Sequence, residues 1–266
     1  MIASDALRAA AARIDRLDAE VLLAQSLGIA RLDLLLDLYR RVDAAAFEAL
    51  VDRREAGEPV AYITGSREFW SLDLNVTPDV LIPRPDSETL IEAAVAHFAG
   101  TPGPGRVLDL GTGSGALLLA ALSEWPGANG VGGDASAAAL RVAEANARRL
   151  GFRDRARFVH GGWDAGPGVF DLVLCNPPYI ATGEVLPRDV ADWEPAAALF
   201  AGTDGLDDYH RLAPLIGPYL APGGVACVEI GSTQSGAVTA LFAAEGLTVA
   251  LARDLAGLPR CLTVTK

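Results

Sequence analysis

The sequence predicts an α/β protein, a doubly wound and mostly parallel sheet preceded by a small helical domain. Three observations lead there. From Gly105 onward, apolar strand-like segments alternate with helical ones; a glycine string, Gly111-Thr112-Gly113-Ser114-Gly115, falls at the first strand-to-helix junction; and the N-terminal part of the chain carries only helical periodicity. The 266 residues suffice for one large domain or a medium domain with a small companion. An apolar fraction of 51% without low-complexity runs excludes a disordered or fibrous chain.

Over residues 4–58, Leu7, Ile14, Leu17, Val21, Leu22, Leu32, Leu35, Leu36, Phe47, Leu50 and Val51 recur at helical spacing, with turn signals at Gly28 and Gly57-Glu58-Pro59. Several short amphipathic helices are expected, with no titratable cluster that implies chemistry. Phe69 to Thr77 alternates apolar and polar residues, and Val80-Leu81-Ile82 follows Pro78-Asp79, so a β-hairpin bridging two domains is expected here. In Arg84-Pro85-Asp86-Ser87-Glu88 the chain turns into a helix, with Asp86 or Ser87 placed to cap it. Strands are then expected over 106–110, 130–134, 156–160, 170–175 and 224–230, and helices over 114–124, 136–150 and 209–220. The segments 247–253 and 261–266 close the chain as an antiparallel pair. The expected domains are thus a helical docking module over 1–66, a hairpin linker over 67–84 and a catalytic sheet domain over 85–266.

Charge narrows the function. With 34 acidic against 22 basic side chains and a net charge of -12, sequence-blind binding to a phosphate backbone is not the expected activity. A nucleic-acid substrate is only discouraged, since a local basic groove survives an acidic total. The three cysteines, Cys175, Cys227 and Cys261, lie far apart in apolar stretches, as in a reduced intracellular protein. The N-terminus lacks signal-peptide features and no apolar run is of membrane-spanning length, so a cytoplasmic protein is expected.

At the glycine string the absence of Cβ atoms permits a sharp turn and close approach of a ligand. Asp134, at the end of the next strand, is placed to accept hydrogen bonds from a ribose diol. That pair serves NAD and S-adenosylmethionine alike. Asn176-Pro177-Pro178-Tyr179, directly after the strand ending at Cys175, breaks the tie. A dehydrogenase needs a proton donor beside its hydride site, and His97, His160 and His210 cluster with no motif. Asn176 and the Pro177 carbonyl instead offer two fixed acceptors for a planar NH2 group, and Tyr179 a face to stack on it. Such a nitrogen is a poor nucleophile because its lone pair is delocalised. Two acceptors that aim the lone pair at a sulfonium methyl can supply on the order of 7 to 11 kcal/mol of the barrier through orientation, without a strong base.

Together these residues resemble the Rossmann-like S-adenosylmethionine-dependent methyltransferases, and within them the release-factor glutamine methyltransferases. The resemblance runs through Pro59-Val60-Ala61-Tyr62-Ile63-Thr64-Gly65, Arg67-Glu68-Phe69-Trp70, Leu81 to Glu88, Val107 to Gly115 and Asn176 to Tyr179. It implies a helical N-terminal domain that helps to dock a protein substrate, and methylation of the glutamine side-chain amide in the Gly-Gly-Gln motif of peptide chain release factors. It further implies that the loop Gly111, Thr112, Gly113, Ser114 and Gly115 holds the cofactor, that Asp134 binds its ribose, and that Trp163 lies by the adenine. Asn176 would contact both cofactor and glutamine, and Pro177, Pro178 and Tyr179 would complete the substrate site. A DNA or RNA amino-methyltransferase and a ribosomal-protein glutamine methyltransferase are the alternatives. A monomer without a metal or stable nucleic-acid partner is expected.

Two departures from the family pattern stand out. Gly162 occupies the place of an acidic residue before Trp163, which leaves Asp164 or a backbone carbonyl to hold the adenine amino group. Gly132 and Gly133 interrupt the second strand, where they should weaken it. Elsewhere, Trp70 reads as core, Trp125 as a helix-end packing residue, Cys175 as a buried small hydrophobe, and Asp204, Asp207 and Asp208 beside His210 as helix-start residues.

Overall fold

The computed structural model describes residues 1–266 and divides into two compact units, Met1–Ser66 with Leu186–Glu194, and Arg67–Val185 with Pro195–Lys266. In the first, α1 (Ala3–Ala10), α2 (Arg16–Leu27), α3 (Arg31–Leu36), α4 (Ala44–Glu55) and α5 (Val60–Thr64) surround Leu22, Leu23, Leu34, Phe47 and Val51. Asp15 and Asp43 cap α2 and α4 by accepting backbone N–H groups, and Gly28 closes α2 at φ 64°. Glu20 is buried in this unit, where Arg31 and Arg16 hold its carboxyl below the usual range against the cost of burial.

The second unit begins with a hairpin, β1 (Ser66–Phe69) and β2 (Leu72–Asn75). It differs from the expected one: Val80-Leu81-Ile82 forms no strand, and Trp70, read as a core strand residue, is half-buried in the two-residue turn. Trp70 and Ser71 take φ 51° and 61°, the left-handed pair that a tight hairpin requires and that Asn-Gly normally supplies. Their amides are satisfied by carboxylates, Ser71 N–H donating to Glu68 and Trp70 N–H to Glu88. The segment around Val80 lies between Pro78 and Pro83, which have no N–H to give a ladder.

The sheet follows through α6 (Glu88–His97), β3 (Arg106–Leu110), α7 (Ala116–Glu124), β4 (Asn129–Asp134), α8 (Ala137–Arg149), β5 (Ala156–His160) and β6 (Phe170–Cys175). The short α9 (Arg188–Ala191) lies in the segment that belongs to the helical unit, and α10 (Asp207–Tyr219), β7 (Leu220–Glu229), α11 (Ser235–Ala244), β8 (Thr248–Arg253) and β9 (Pro259–Thr265) complete the chain. The strand order is β5-β4-β3-β6-β7-β9-β8. Pairing is parallel from β5 to β7 and antiparallel for β9 against both β7 and β8. Every residue of α7 from Ala116 to Leu122 is buried, as befits a helix that is apolar on all sides.

The glycines of β4 make room for their neighbours. A Cβ on Gly130 would lie 2.4 Å from Leu118 Cδ1, and one on Gly132 2.8 Å from Thr112 Oγ1. Both strand neighbours remain paired along β4, so the side-chain volume missing there is filled from α7 and the glycine loop.

Candidate active site

A cavity of about 700 Å³ opens at the carboxyl ends of β3, β4 and β6, where ligands of open α/β sheets bind, and all of its walls come from the sheet-containing unit. Gly111, Thr112, Gly113 and Ser114 form one wall. The Gly111 and Thr112 amides both donate to the Gly133 carbonyl at 2.9 Å, which folds the loop over the end of β4. A Cβ on Gly111 would come within 3.2 Å of the Trp163 ring, and one on Gly113, at φ 54°, would meet nothing within 4 Å. Gly115 has a different task from that expected of it. It is absent from the cavity wall, and its missing Cβ admits Ala143 of α8, 3.3 Å from where that atom would be.

Asp134 lines the cavity and also shapes it, its two carboxylate oxygens accepting the Gly113 and Ser136 amides at 2.8 Å each. Each oxygen keeps acceptor capacity for a diol. Beneath the loop, Asp109 is buried and accepts the Thr112 hydroxyl at 2.6 Å, while its other oxygen has no partner. Burial pushes its pKa up to about 7.

Trp163 also lines the cavity, its indole N–H donated to Asp208 at 2.9 Å. Asp208 sits in the first turn of α10 as expected, and additionally pairs with Arg211 at 3.0 Å. Asp164 does not substitute for the missing carboxylate at Gly162: it accepts the Tyr219 hydroxyl and the Gly166 amide and is not on the cavity wall. Gly162 itself offers backbone groups alone, and the carboxylate that the wall does carry by Trp163 is that of Asp208.

The acceptor part of the wall carries Asn176, next to Gly111, with Pro178, Arg84 and Ser87. Asn176 donates its side-chain NH2 to Ser87 Oγ at 3.2 Å, which fixes its carbonyl Oδ1 as the end left to accept. Pro177 and Tyr179 are not brought to the wall. Pro177 is buried, and Tyr179 gives its phenol hydrogen to Glu229 at 3.3 Å, because a half-buried hydroxyl needs a partner. Burial, followed by the Glu229 charge, raises the Tyr179 pKa. Cys175 is fully buried, and that burial raises its thiol pKa well above normal, in keeping with a packing residue.

Ser87 on this wall, and Glu229 and Gln234 behind it, were not expected among the site residues. Ser87 belongs to the expected cap, yet makes no capping bond and reaches Asn176 instead. Glu229 is 1% exposed, and its presence in the apolar run Val225 to Ile230 was the available signal. Gln234 donates to the carbonyls of Tyr179 at 2.9 Å and Gly205 at 3.3 Å, and receives the Gly231 amide at 3.0 Å, so it fixes the chain just past the acceptor motif.

These residues suit S-adenosylmethionine: a glycine-rich loop for close backbone approach, a carboxylate at the end of the next strand on the same cavity wall, and an indole beside the loop. The comparisons with known proteins agree. Residues 2–65 match the model of the PrmC N-terminal domain, and residues 87–192 that of the methyltransferase small domain. Among solved structures, a ribosomal protein L11 methylase from Lactobacillus delbrueckii subsp. bulgaricus is similar at TM-score 0.51 and 19% identity, covering 72% of this chain and 83% of its own. A methyltransferase from Pyrococcus furiosus is similar at TM-score 0.53 and 18% identity, covering 82% and 95%. At such identity these two show the fold alone. The release factor glutamine methyltransferase of Rhodospirillum rubrum is 45% identical over 263 residues, covering 96% of this chain and 80% of its own. That of Cereibacter sphaeroides is 45% identical over 277 residues, covering 99% and 98%. Likeness of that degree across both units, together with the cavity wall just described, shows that the chain belongs to the S-adenosylmethionine-dependent release factor glutamine methyltransferase family.

Proposed function

We propose that the protein methylates the side-chain amide nitrogen of the glutamine in the Gly-Gly-Gln motif of peptide chain release factors. The observation that carries this reading is the orientation of Asn176, whose NH2 is committed to Ser87 and whose Oδ1 remains to accept from an incoming amide. When bound, S-adenosylmethionine supplies an electrophilic sulfonium methyl. Asp134 and the backbone of Gly111 to Ser114 hold the cofactor, and Trp163 covers one side of it. Asn176 Oδ1 takes one hydrogen of the substrate NH2, and the second acceptor expected at Pro177 belongs to a buried residue off the cavity wall. Held in this way, the amide nitrogen would be oriented toward the sulfonium methyl that the cofactor would supply, without a strong base to deprotonate it first. Tyr179 stiffens the turn through Glu229. A translation factor as substrate supports a cytoplasmic location.

Incubation with labelled S-adenosylmethionine and three acceptors tests the reading: a release factor, the same factor with the Gly-Gly-Gln glutamine replaced, and a nucleic-acid pool. Label is expected in the first alone. Equal labelling of the replaced factor, or labelling of nucleic acid only, overturns it.

A further inference from the structure

We infer that Asp208 of α10 is a specificity residue for the cofactor, its free carboxylate oxygen accepting a hydrogen from the exocyclic amino group of the adenine. The inference rests on the cofactor of the family and is independent of which acceptor is methylated.

Trp163 spans the cavity wall between the glycine loop and α10. A Cβ on Gly111 would lie 3.2 and 3.3 Å from Cζ3 and Cη2 of its six-membered ring, and at the opposite edge the indole N–H is given to Asp208 Oδ1 at 2.9 Å. An indole N–H lies in the plane of the ring, so Asp208 stands at the rim of the indole and not over its face. A planar base lying on that face therefore has an edge beside the carboxylate. Oδ1 is fully engaged, since it also receives the Arg211 guanidinium at 3.0 Å, whereas Oδ2 has no donor in the chain. Asp208 is 7% exposed and lines the cavity, so the donor that this enclosed oxygen needs comes from what the cavity holds.

The other carboxylates of the cavity do not compete for this place. Asp79 is exposed and accepts the Thr77 hydroxyl within its own turn, and Asp134, at the end of β4, holds the Gly113 and Ser136 amides where the ribose is expected. Asp208 alone stands beside an aromatic ring. S-adenosylmethionine can give hydrogens from its ribose hydroxyls, its amino-acid ammonium and its adenine amino group, and only the last belongs to a planar ring that an indole can accompany. Gly162 has no side chain to receive that group, and Asp164 is turned to Tyr219 and Gly166. A carboxylate oxygen accepts and does not donate, so at this place it favours the amino group of adenine and repels the carbonyl oxygen of a 6-oxopurine.

Calorimetry on the full-length protein tests this with two ligands, S-adenosylhomocysteine and S-inosylhomocysteine, in which a carbonyl oxygen replaces the amino group. Wild type is expected to bind the first at least about tenfold more tightly. In Asp208→Asn the amide oxygen still receives the Trp163 N–H, and the amide NH2 takes the place of Oδ2. Affinity for S-adenosylhomocysteine is then expected to fall at least about fivefold while that for S-inosylhomocysteine holds or rises, which shrinks the preference to less than about threefold. Equal affinity of wild type for the two ligands overturns the inference. So does a preference that survives in the variant, or a weakening of both ligands by the same factor up to loss of binding, which is the outcome for a residue that only holds Trp163 in place. Should Asp208→Asn fail to fold, Asp208→Ala decides by the same ratio. No methyl acceptor is present in these titrations, so a failure of the proposed reaction is read separately, from the labelling of release factor by wild type.

Discussion

The two walls of the cavity are built on different principles. On the cofactor side, the hydrogen bonds that shape the glycine loop are shorter-range in sequence: Thr112 to Asp109, three residues apart, Ser136 to Asp134, two apart, and Gly113 to Asp134, 21 apart, with Trp163 to Asp208, 45 apart, the exception. On the acceptor side they are long-range: Asn176 to Ser87 spans 89 residues, Tyr179 to Glu229 50 and Gln234 to Tyr179 55. Each wall conceals a carboxyl pushed up to about 7 by burial, Asp109 under the glycine loop and Glu229 behind the acceptor motif. The cofactor wall is a local motif that folds with its own strand and helix. The acceptor wall exists only once the linker, β6, β7 and α11 have come together.

This contrast breaks most readily at Asn176. Asn176→Ala is expected to lower kcat by about 100-fold or more, in the range for loss of a fixed orienting contact, while the cofactor dissociation constant changes only a few-fold. A variant that loses turnover and cofactor affinity equally would mean that the two walls do not act separately.

Asp134→Ala is the converse. It removes the anchor of Gly113 and the acceptor for the ribose, and cofactor affinity is expected to fall about tenfold, with kcat at saturating cofactor affected far less. Unchanged affinity by calorimetry would remove Asp134 from its assigned place.

A smaller effect concerns the buried acids. The folded-state pKa of Asp109 lies above its ordinary value, so between about pH 4 and pH 7 the folded protein keeps a proton that the unfolded chain releases. Its contribution therefore falls as pH rises through that window, by at most about 1.4 kcal/mol per pH unit, and is level above it. Asp109→Asn is expected to make urea unfolding less dependent on pH between 5 and 7, and to stabilise the protein most above pH 7. A slope equal to that of wild type would show that Asp109 does not titrate in this window.

The smallest change is expected at Gln234. Gln234→Ala loses three bonds to the backbone, and kcat is expected to drop several-fold as the turn after Tyr179 loosens, with stability lower by about 1 kcal/mol. An unchanged kcat with the same loss of stability would make the clamp purely structural.

Legibility followed the same division. The alternation after Gly105, the glycine loop and the placement of Asp134 and Asn176 at strand ends are carried by residues close in sequence, and the strands and helices formed close to where periodicity put them. The hairpin was misplaced because Trp70 and Ser71, neither of them a usual turn residue, adopt positive φ with their amides satisfied by Glu68 and Glu88. Ser87 looked like a cap because its position relative to α6 is that of one, and only the packed structure shows it turned toward Asn176. Tyr179 looked like a stacking face because a tyrosine has one, but its hydroxyl is held by Glu229.

What the sequence determined by itself was the order of elements, the end of the sheet at which a ligand binds, and the chemistry of Asn176 and Asp134, since periodicity and glycine placement are local properties of a chain. What only the tertiary structure decided was which partners hold those groups. Gly115 was assigned to helix packing by the approach of Ala143, and the amide of Asn176 was oriented by a serine from a distant segment. A buried hydrogen bond is satisfied by whichever group folding brings within reach, and that proximity is set by the packing of the sheet rather than by sequence spacing.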